Sequence, residues 1–159
     1  MCEYCGCQAL APIAELTREH DLVLSLVCEA RIARDEGDLP RMAKLASQIA
    51  AVLGPHTQVE EGGLFPALSA DSPDQMAILE AEHQQIAAVL GEALPGPPED
   101  PAWPDRLTVA LALLRAHIHK EQDGVFPAAL ATLRLADWEE MENTRTQVGR
   151  LLDLLPSPA

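Results

Sequence analysis

The sequence predicts an all-α protein, an up-down-up-down four-helix bundle with a short extra helix at its C-terminal end. Three observations carry this expectation. Apolar residues make up 48% of the chain and are rich in Ala and Leu, whereas aromatic residues reach only 3%, a balance that favours helices over sheets. They recur at helical spacing in four long segments. Most of the connections between these segments are short, so neighbouring helices should run antiparallel. At 159 residues the chain suits one core and not two. Residues 10–155 are expected to form the bundle, with a Cys-rich arm at 1–9.

The first helix is expected over residues 11–36, where Leu16, His20, Val23, Leu24, Val27 and Ile32 share helical spacing and Gly37-Asp38 closes the run. A second runs from Pro40 to Leu64 through Met42, Leu45, Ile49, Val52 and Leu53. Pro55 lacks a backbone donor and should kink it just before His56, and Phe65-Pro66 should start a new turn. Asp71-Ser72-Pro73 is a start signal with Pro at the first helical position. The third helix follows, with Met76, Leu79, His83, Ile86, Val89 and Leu90. Residues 94–104 hold five prolines and read as a loop. Leu107, Ala110, Leu111, Leu114, His117 and Ile118 mark the fourth helix, which reaches Glu121 and gives way near Phe126-Pro127. A final shorter helix should be capped by Asp137, with Glu140 three residues on, and end at Leu155-Pro156.

Within this pattern the chain repeats itself. His56, Glu60, Gly63, Phe65 and Pro66 recur in register as His117, Glu121, Gly124, Phe126 and Pro127, and each copy is preceded by a Glu-His pair, Glu19-His20 and Glu82-His83. A His and a Glu four residues apart occupy one helical face, which is how a bundle offers an imidazole and a carboxylate to one metal ion. The centre of the bundle should therefore hold His20, His56, Glu60, His83, His117 and Glu121. Two carboxylates in a dry core are costly without cations. Four neutral imidazoles and two carboxylates suit one or two borderline ions, iron first, with zinc and manganese as alternatives.

These residues resemble the hemerythrin-like, HHE cation-binding family over positions 10–155, nearly the whole chain. The resemblance implies a hemerythrin-like bundle around two iron ions in a non-haem di-iron centre. Its small-molecule partners would be O2, NO or H2O2 (peroxide). By the same resemblance His20 and His56 hold one iron, His83 and His117 hold the other, and Glu60 and Glu121 bridge them.

The sequence departs from the oxygen-carrying members in two places. They place a fifth histidine one turn from the one matched by His83, where this chain has Leu79 and Ala87, and they carry a bridging Asp where this chain has Gln122. The iron beside His83 is left with room for water, for a carboxylate such as Glu82, or for a reactive small molecule. An open position argues for sensing, scavenging or redox turnover over reversible carriage. The expected function is binding of, or reaction with, O2, NO or peroxide, with no organic cofactor. The alternatives are a catalase-like, peroxide-decomposing di-iron enzyme, in which Glu82 or another nearby carboxylate handles protons, and a metal sensing or delivery protein that uses the Cys-rich arm. Whether the chain is an enzyme stays open.

The remaining candidates are weaker. Cys2, Cys5 and Cys7 form a C-x-x-C-x-C cluster with metal-binding or redox spacing, although a frayed terminus with unused thiols is a close rival. Tyr4 lies in the same arm. Cys28 is expected as a small buried residue and His119 as an exposed one. Glu61 should face solvent or the outer surroundings of the site. Glu19 and Glu82 either orient an imidazole across the bundle or stand solvated beside the core, and the second reading is preferred. A net charge of −14, with no cluster of Lys or Arg, excludes nucleic-acid and anionic-membrane partners. With no apolar run near the roughly 18 residues of a span and no leader-like N-terminus, the protein is expected to be cytoplasmic.

Overall fold

The structure is a computed structural model that describes residues 7–150, with side chains described from residue 11. The expectations for Cys2, Tyr4, Cys5 and the end of the last helix at Leu155-Pro156 lie outside the described residues, as does the side chain of Cys7.

All regular structure among the described residues is helical. Helix α1 spans Cys7–Asp35, and α2 spans Leu39–Val59. Gly37 makes the turn between them with a left-handed φ of 69°, and the Asp38 side chain accepts a hydrogen bond from the Arg41 amide at 3.0 Å to cap α2. Helix α2 continues through Gly54-Pro55. Its departure from α geometry comes instead at Glu60–Leu64, one turn of π-helix that runs on into the short α3, Phe65–Leu68. The second copy repeats this. Helix α4 spans Pro73–Gly91 and α5 spans Trp103–Lys120, followed by a π-turn at Glu121–Val125 and by α6, Phe126–Thr132.

The π-turns follow from the Phe-Pro pairs. A proline in an α-helix lacks its own donor, and its ring collides with the carbonyl four residues back. Widening the turn by one residue relieves the collision: the Phe65 amide donates to the Glu60 carbonyl and the Phe126 amide to the Glu121 carbonyl. Both glutamates thus start a widened turn directed at the bundle interior.

The loop between α4 and α5 covers residues 92–102 and ends earlier than expected, because Trp103 and Pro104 already belong to α5. Pro104 fits the first turn, where its missing donor is not needed. Trp103 is fully buried, and its indole N–H donates to the Val89 carbonyl at 3.1 Å, which ties the start of α5 to α4. Helix α7, Leu135–Val148, starts two residues before Asp137. Asp137 is at its third position, where the carboxylate accepts from the Arg134 backbone N–H at 2.9 Å, so the cap is Arg134.

The four long helices enclose two apolar clusters. One packs Val23, Val27, Ile49, Val52, Ile86, Leu90, Leu114 and Ile118; the other packs Leu16, Val59, Phe65, Leu79, Val125, Phe126 and Met141. Along α1 the clusters meet on either side of His20, and along α2 and α4 they flank His56 and His83; beyond His117 the second cluster begins at Val125 and Phe126. A polar layer therefore lies between two apolar ones. Cys28 is exposed, against expectation. Eight residues past His20 is about 80° of helical rotation, enough to carry it off the buried face. Ile32, placed on the same stripe, is also half-exposed. Among the described residues, no helix is long and apolar enough to cross a membrane.

Candidate metal centre

The six residues singled out by the repeat meet in the layer between the clusters. His20, His56, His83 and His117 come from α1, α2, α4 and α5, and Glu60 and Glu121 open the two π-turns. All six are buried, the two glutamates completely. They form two groups suited to a metal ion, His20, His56, Glu60 and Glu121 in one, and Glu60, His83, His117 and Glu121 in the other, with the donor atoms in each lying within 4.8 Å of one another.

Each glutamate reaches both histidine pairs with separate oxygens. Glu60 Oε1 lies 3.1 Å from His56 Nε2, and its Oε2 lies 3.2 Å from His83 Nε2. Glu121 Oε1 lies 2.8 Å from His117 Nε2, and its Oε2 lies 3.1 Å from His20 Nε2. Despite these approaches, both oxygens of Glu60 and of Glu121, together with His20 Nε2 and His117 Nε2, are buried without a hydrogen-bond partner. Orphaned buried acceptors are rare and costly. Orphans that converge from α1, α5 and the two π-turns fit a pair of cations at their focus.

The outer nitrogens are held from behind. His56 Nδ1 is 2.7 Å from Glu19 Oε2, His117 Nδ1 is 2.8 Å from Glu82 Oε2, and His83 Nδ1 is 2.8 Å from Glu61 Oε1. A carboxylate at Nδ1 fixes the ring and directs Nε2 inward. Glu19 and Glu82 are buried, so the reading of them as solvated charges is corrected. Nor is Glu82 free to fill an open metal position or to handle protons, because its other oxygen takes an ion pair from Lys120. Periodicity assigns the residue before a ligand to a neighbouring face and does not reveal that the next helix presents an imidazole there. Glu61, 41% exposed in its side chain, occupies the outer surroundings of the site as expected.

Sequence reasoning missed Arg145. Helix α7 carries it into the layer, where it is 2% exposed and donates from Nη1 to Glu19 Oε1 at 2.7 Å and from Nη2 to Glu19 Oε2 at 3.0 Å. The π-turn at Glu60–Leu64 makes the seat for this helix. A Cβ on Gly63 would lie 2.9 Å from Met141 Cγ and 3.0 Å from Met141 Cα, so only glycine permits the approach. At the matching Gly124 nothing lies within 4 Å. The two halves are therefore alike at the donors and unlike behind them.

Electrostatics in the metal-free layer follow from these contacts. Burial pushes the His56 imidazole down, but the Glu60 carboxylate and the hydrogen bond to Glu19 outweigh it and raise its pKa to about 10. His83 and His117 are also raised against burial, by Glu60 and by Glu121 respectively. Glu60, despite burial, is held well below the usual carboxylate range by His56 and His83. Burial likewise opposes the lowering of Glu19 by His56 and Arg145. The carboxylates that raise these imidazoles would equally attract a cation.

The rings are also packed. Phe65 stacks on His83 with centroids 5.6 Å apart, and Phe126 stacks on His20 at 5.5 Å, so each repeated phenylalanine braces a histidine of the other half. Of the positions flanking His83 by one turn, Leu79 is fully buried in the apolar cluster beside Phe65, and Ala87 lies exposed at the edge of a cavity that reaches all four histidines. His119 is exposed, as expected.

The Hemerythrin HHE cation binding domain family matches residues 9–129. No curated protein and no solved structure matches the chain.

Proposed function

From the premise that this chain belongs to the hemerythrin HHE cation-binding domain family, we propose that its histidine–glutamate layer is a non-haem di-iron centre that binds and reacts with O2, NO or peroxide. The carrying observation is the split of each glutamate between the two histidine pairs, the geometry of a carboxylate bridge. In this reading His20 and His56 hold one iron, His83 and His117 the other, and Glu60 and Glu121 bridge. Iron bound there would supply coordination of these small molecules and exchange of electrons with them. Zinc and manganese suit the same donors.

The chain's own residues do the rest. Glu19, Glu82 and Glu61 hold three imidazoles with Nε2 inward, and the apolar clusters on either side keep bulk water from the bridges. On the His83 side neither Leu79 nor Ala87 offers a donor, so an iron held by His83 and His117 would have room for an incoming molecule. Glu61 lies 2.8 Å from His83 Nδ1 and is partly exposed, so the support of this imidazole is open to water, whereas Glu19 supports His56 from a buried position.

The test is metal analysis with the visible absorption spectrum of the purified protein, followed by addition of peroxide to the iron-loaded form. Two irons per chain, a coloured ferric form and consumption of peroxide are expected. A colourless protein that holds only zinc, or two irons with no response to O2, NO or peroxide, would refute the reading.

A further inference from the structure

The cavity over the histidines is far larger than a diatomic ligand or peroxide requires. It measures about 330 Å³. A single water needs only about 10–15 Å³ on the same kind of measure, and small organic ligands occupy clefts from about 300 Å³ upward. It runs between α2 and α4, with the four histidines at its floor and walls that are mostly apolar, among them Leu53, Leu90, Leu114 and Ile118. At the mouth Leu94 is 64% exposed, so the apolar lining continues to the surface.

Two glycines keep the passage wide. Gly54 lies inside α2 and Gly91 at the end of α4, neither with a positive φ, and an added Cβ at either would meet nothing within 4 Å. Backbone geometry and close packing therefore do not account for glycine there, although glycine weakens a helix relative to alanine. What a side chain at these positions would do is narrow the cavity.

Charge selects the head group. Two divalent ions against Glu60 and Glu121 leave two positive charges, and Glu61 offsets one of them. Glu19 and Glu82 are already neutralised by Arg145 and Lys120. With two such ions held there, one positive charge would remain at the floor of a cavity with mostly apolar walls. We propose that this cavity binds a medium-chain monocarboxylate, with its carboxylate at the open position beside His83 and its chain between α2 and α4. The proposal rests on the di-metal reading of the same site and assigns its substrate class.

Isothermal titration calorimetry of octanoate, acetate and octanol into protein loaded anaerobically with ferrous iron tests it, with metal analysis of every sample. Octanoate should bind at least tenfold more tightly than acetate and than octanol. Gly91→Leu and Gly54→Leu, which introduce no clash at Cβ, should keep the iron and lose at least tenfold in octanoate affinity while leaving acetate unchanged. Octanoate no tighter than acetate, octanol equal to octanoate, or plugged variants with full octanoate affinity would each overturn the proposal while two irons per chain leave the metal reading intact. A chain that takes up no metal overturns both, and metal analysis separates the cases.

Discussion

Arg145, on the last helix, forks onto both oxygens of Glu19, on the first, at 2.7 and 3.0 Å, and Glu19 in turn holds His56 Nδ1 at 2.7 Å. The pair is buried on both sides and lies 126 residues apart in the chain. Its counterpart in the second half, Lys120 on Glu82, is 44% exposed at the lysine. The family match ends at residue 129, so Arg145 acts on the site from outside the matched segment.

Arg145→Leu should therefore be costly, because it removes the cation that forks onto both oxygens of the buried Glu19 and leaves His56 to hold that carboxylate. Removing one partner of a buried pair costs about 3–5 kcal/mol, whereas an exposed pair is worth about 0–1 kcal/mol, so Lys120→Ala should change little. Thermal melts of both variants check this, and metal titration should show Arg145→Leu losing affinity at the His20–His56 position first. Equal melting temperatures for the two variants would contradict the asymmetry.

Gly63→Ala should loosen α7. Its Cβ would come within 3.0 Å of the Met141 backbone, and overpacking of this kind costs about 1–3 kcal/mol. Gly124→Ala meets no neighbour and should be neutral or stabilising by about 0.5–1 kcal/mol. Denaturant midpoints of the two variants should move in opposite directions, or Gly63 alone should move.

The metal-free protein should lose stability at alkaline pH. The folded pKa of His56, about 10, lies above its ordinary 6.5, so its contribution is complete below the ordinary value and disappears as pH rises through 10. His83 and His117 are shifted the same way. Glu60 is shifted down, and its contribution is lost as pH falls below the ordinary carboxylate range. The chelated protein should melt highest near pH 5–6.5 and lower at pH 9.5. The loaded protein, whose imidazoles carry no proton on Nε2, should lack the alkaline loss. Matching pH profiles for the two forms would be the contrary result.

Face geometry gives a further contrast on α5, where His117 is 2% exposed and His119 is exposed. His117→Ala should lose metal and His119→Ala should retain it, as read by metal analysis after gel filtration. Equal retention would remove His117 from the site.

The helices and the meeting of the six His and Glu residues were legible because both follow from period and repetition: apolar residues at helical spacing, and a His-x-x-x-Glu that recurs 61 positions later. What escaped depends on a third dimension. Glu19 and Glu82 read as surface charges until the neighbouring helix brings an imidazole to them. Arg145 belongs to a helix with no strong apolar stripe, and nothing in its local sequence points to Glu19. The π-turns looked like α-helix up to Leu64, with the disturbance assigned to Pro55. In fact the widening lies between each glutamate and its Phe-Pro pair, while α geometry already puts Glu60 and Glu121 on the face of His56 and His117. Cys28 was misplaced by a rotation of about 80°, too small to notice in spacing and large enough to reach solvent.

The central claim, that Glu60 and Glu121 tie two ions together, is tested most directly by X-ray absorption at the iron edge of the loaded protein. A histidine-rich shell of nitrogen and oxygen donors is expected, with a second iron at roughly 3.5–4 Å or less, and with two irons per chain. Glu60→Ala should weaken or abolish the iron–iron scattering. One iron per chain, or two irons with no iron–iron scattering within that range, would contradict the account.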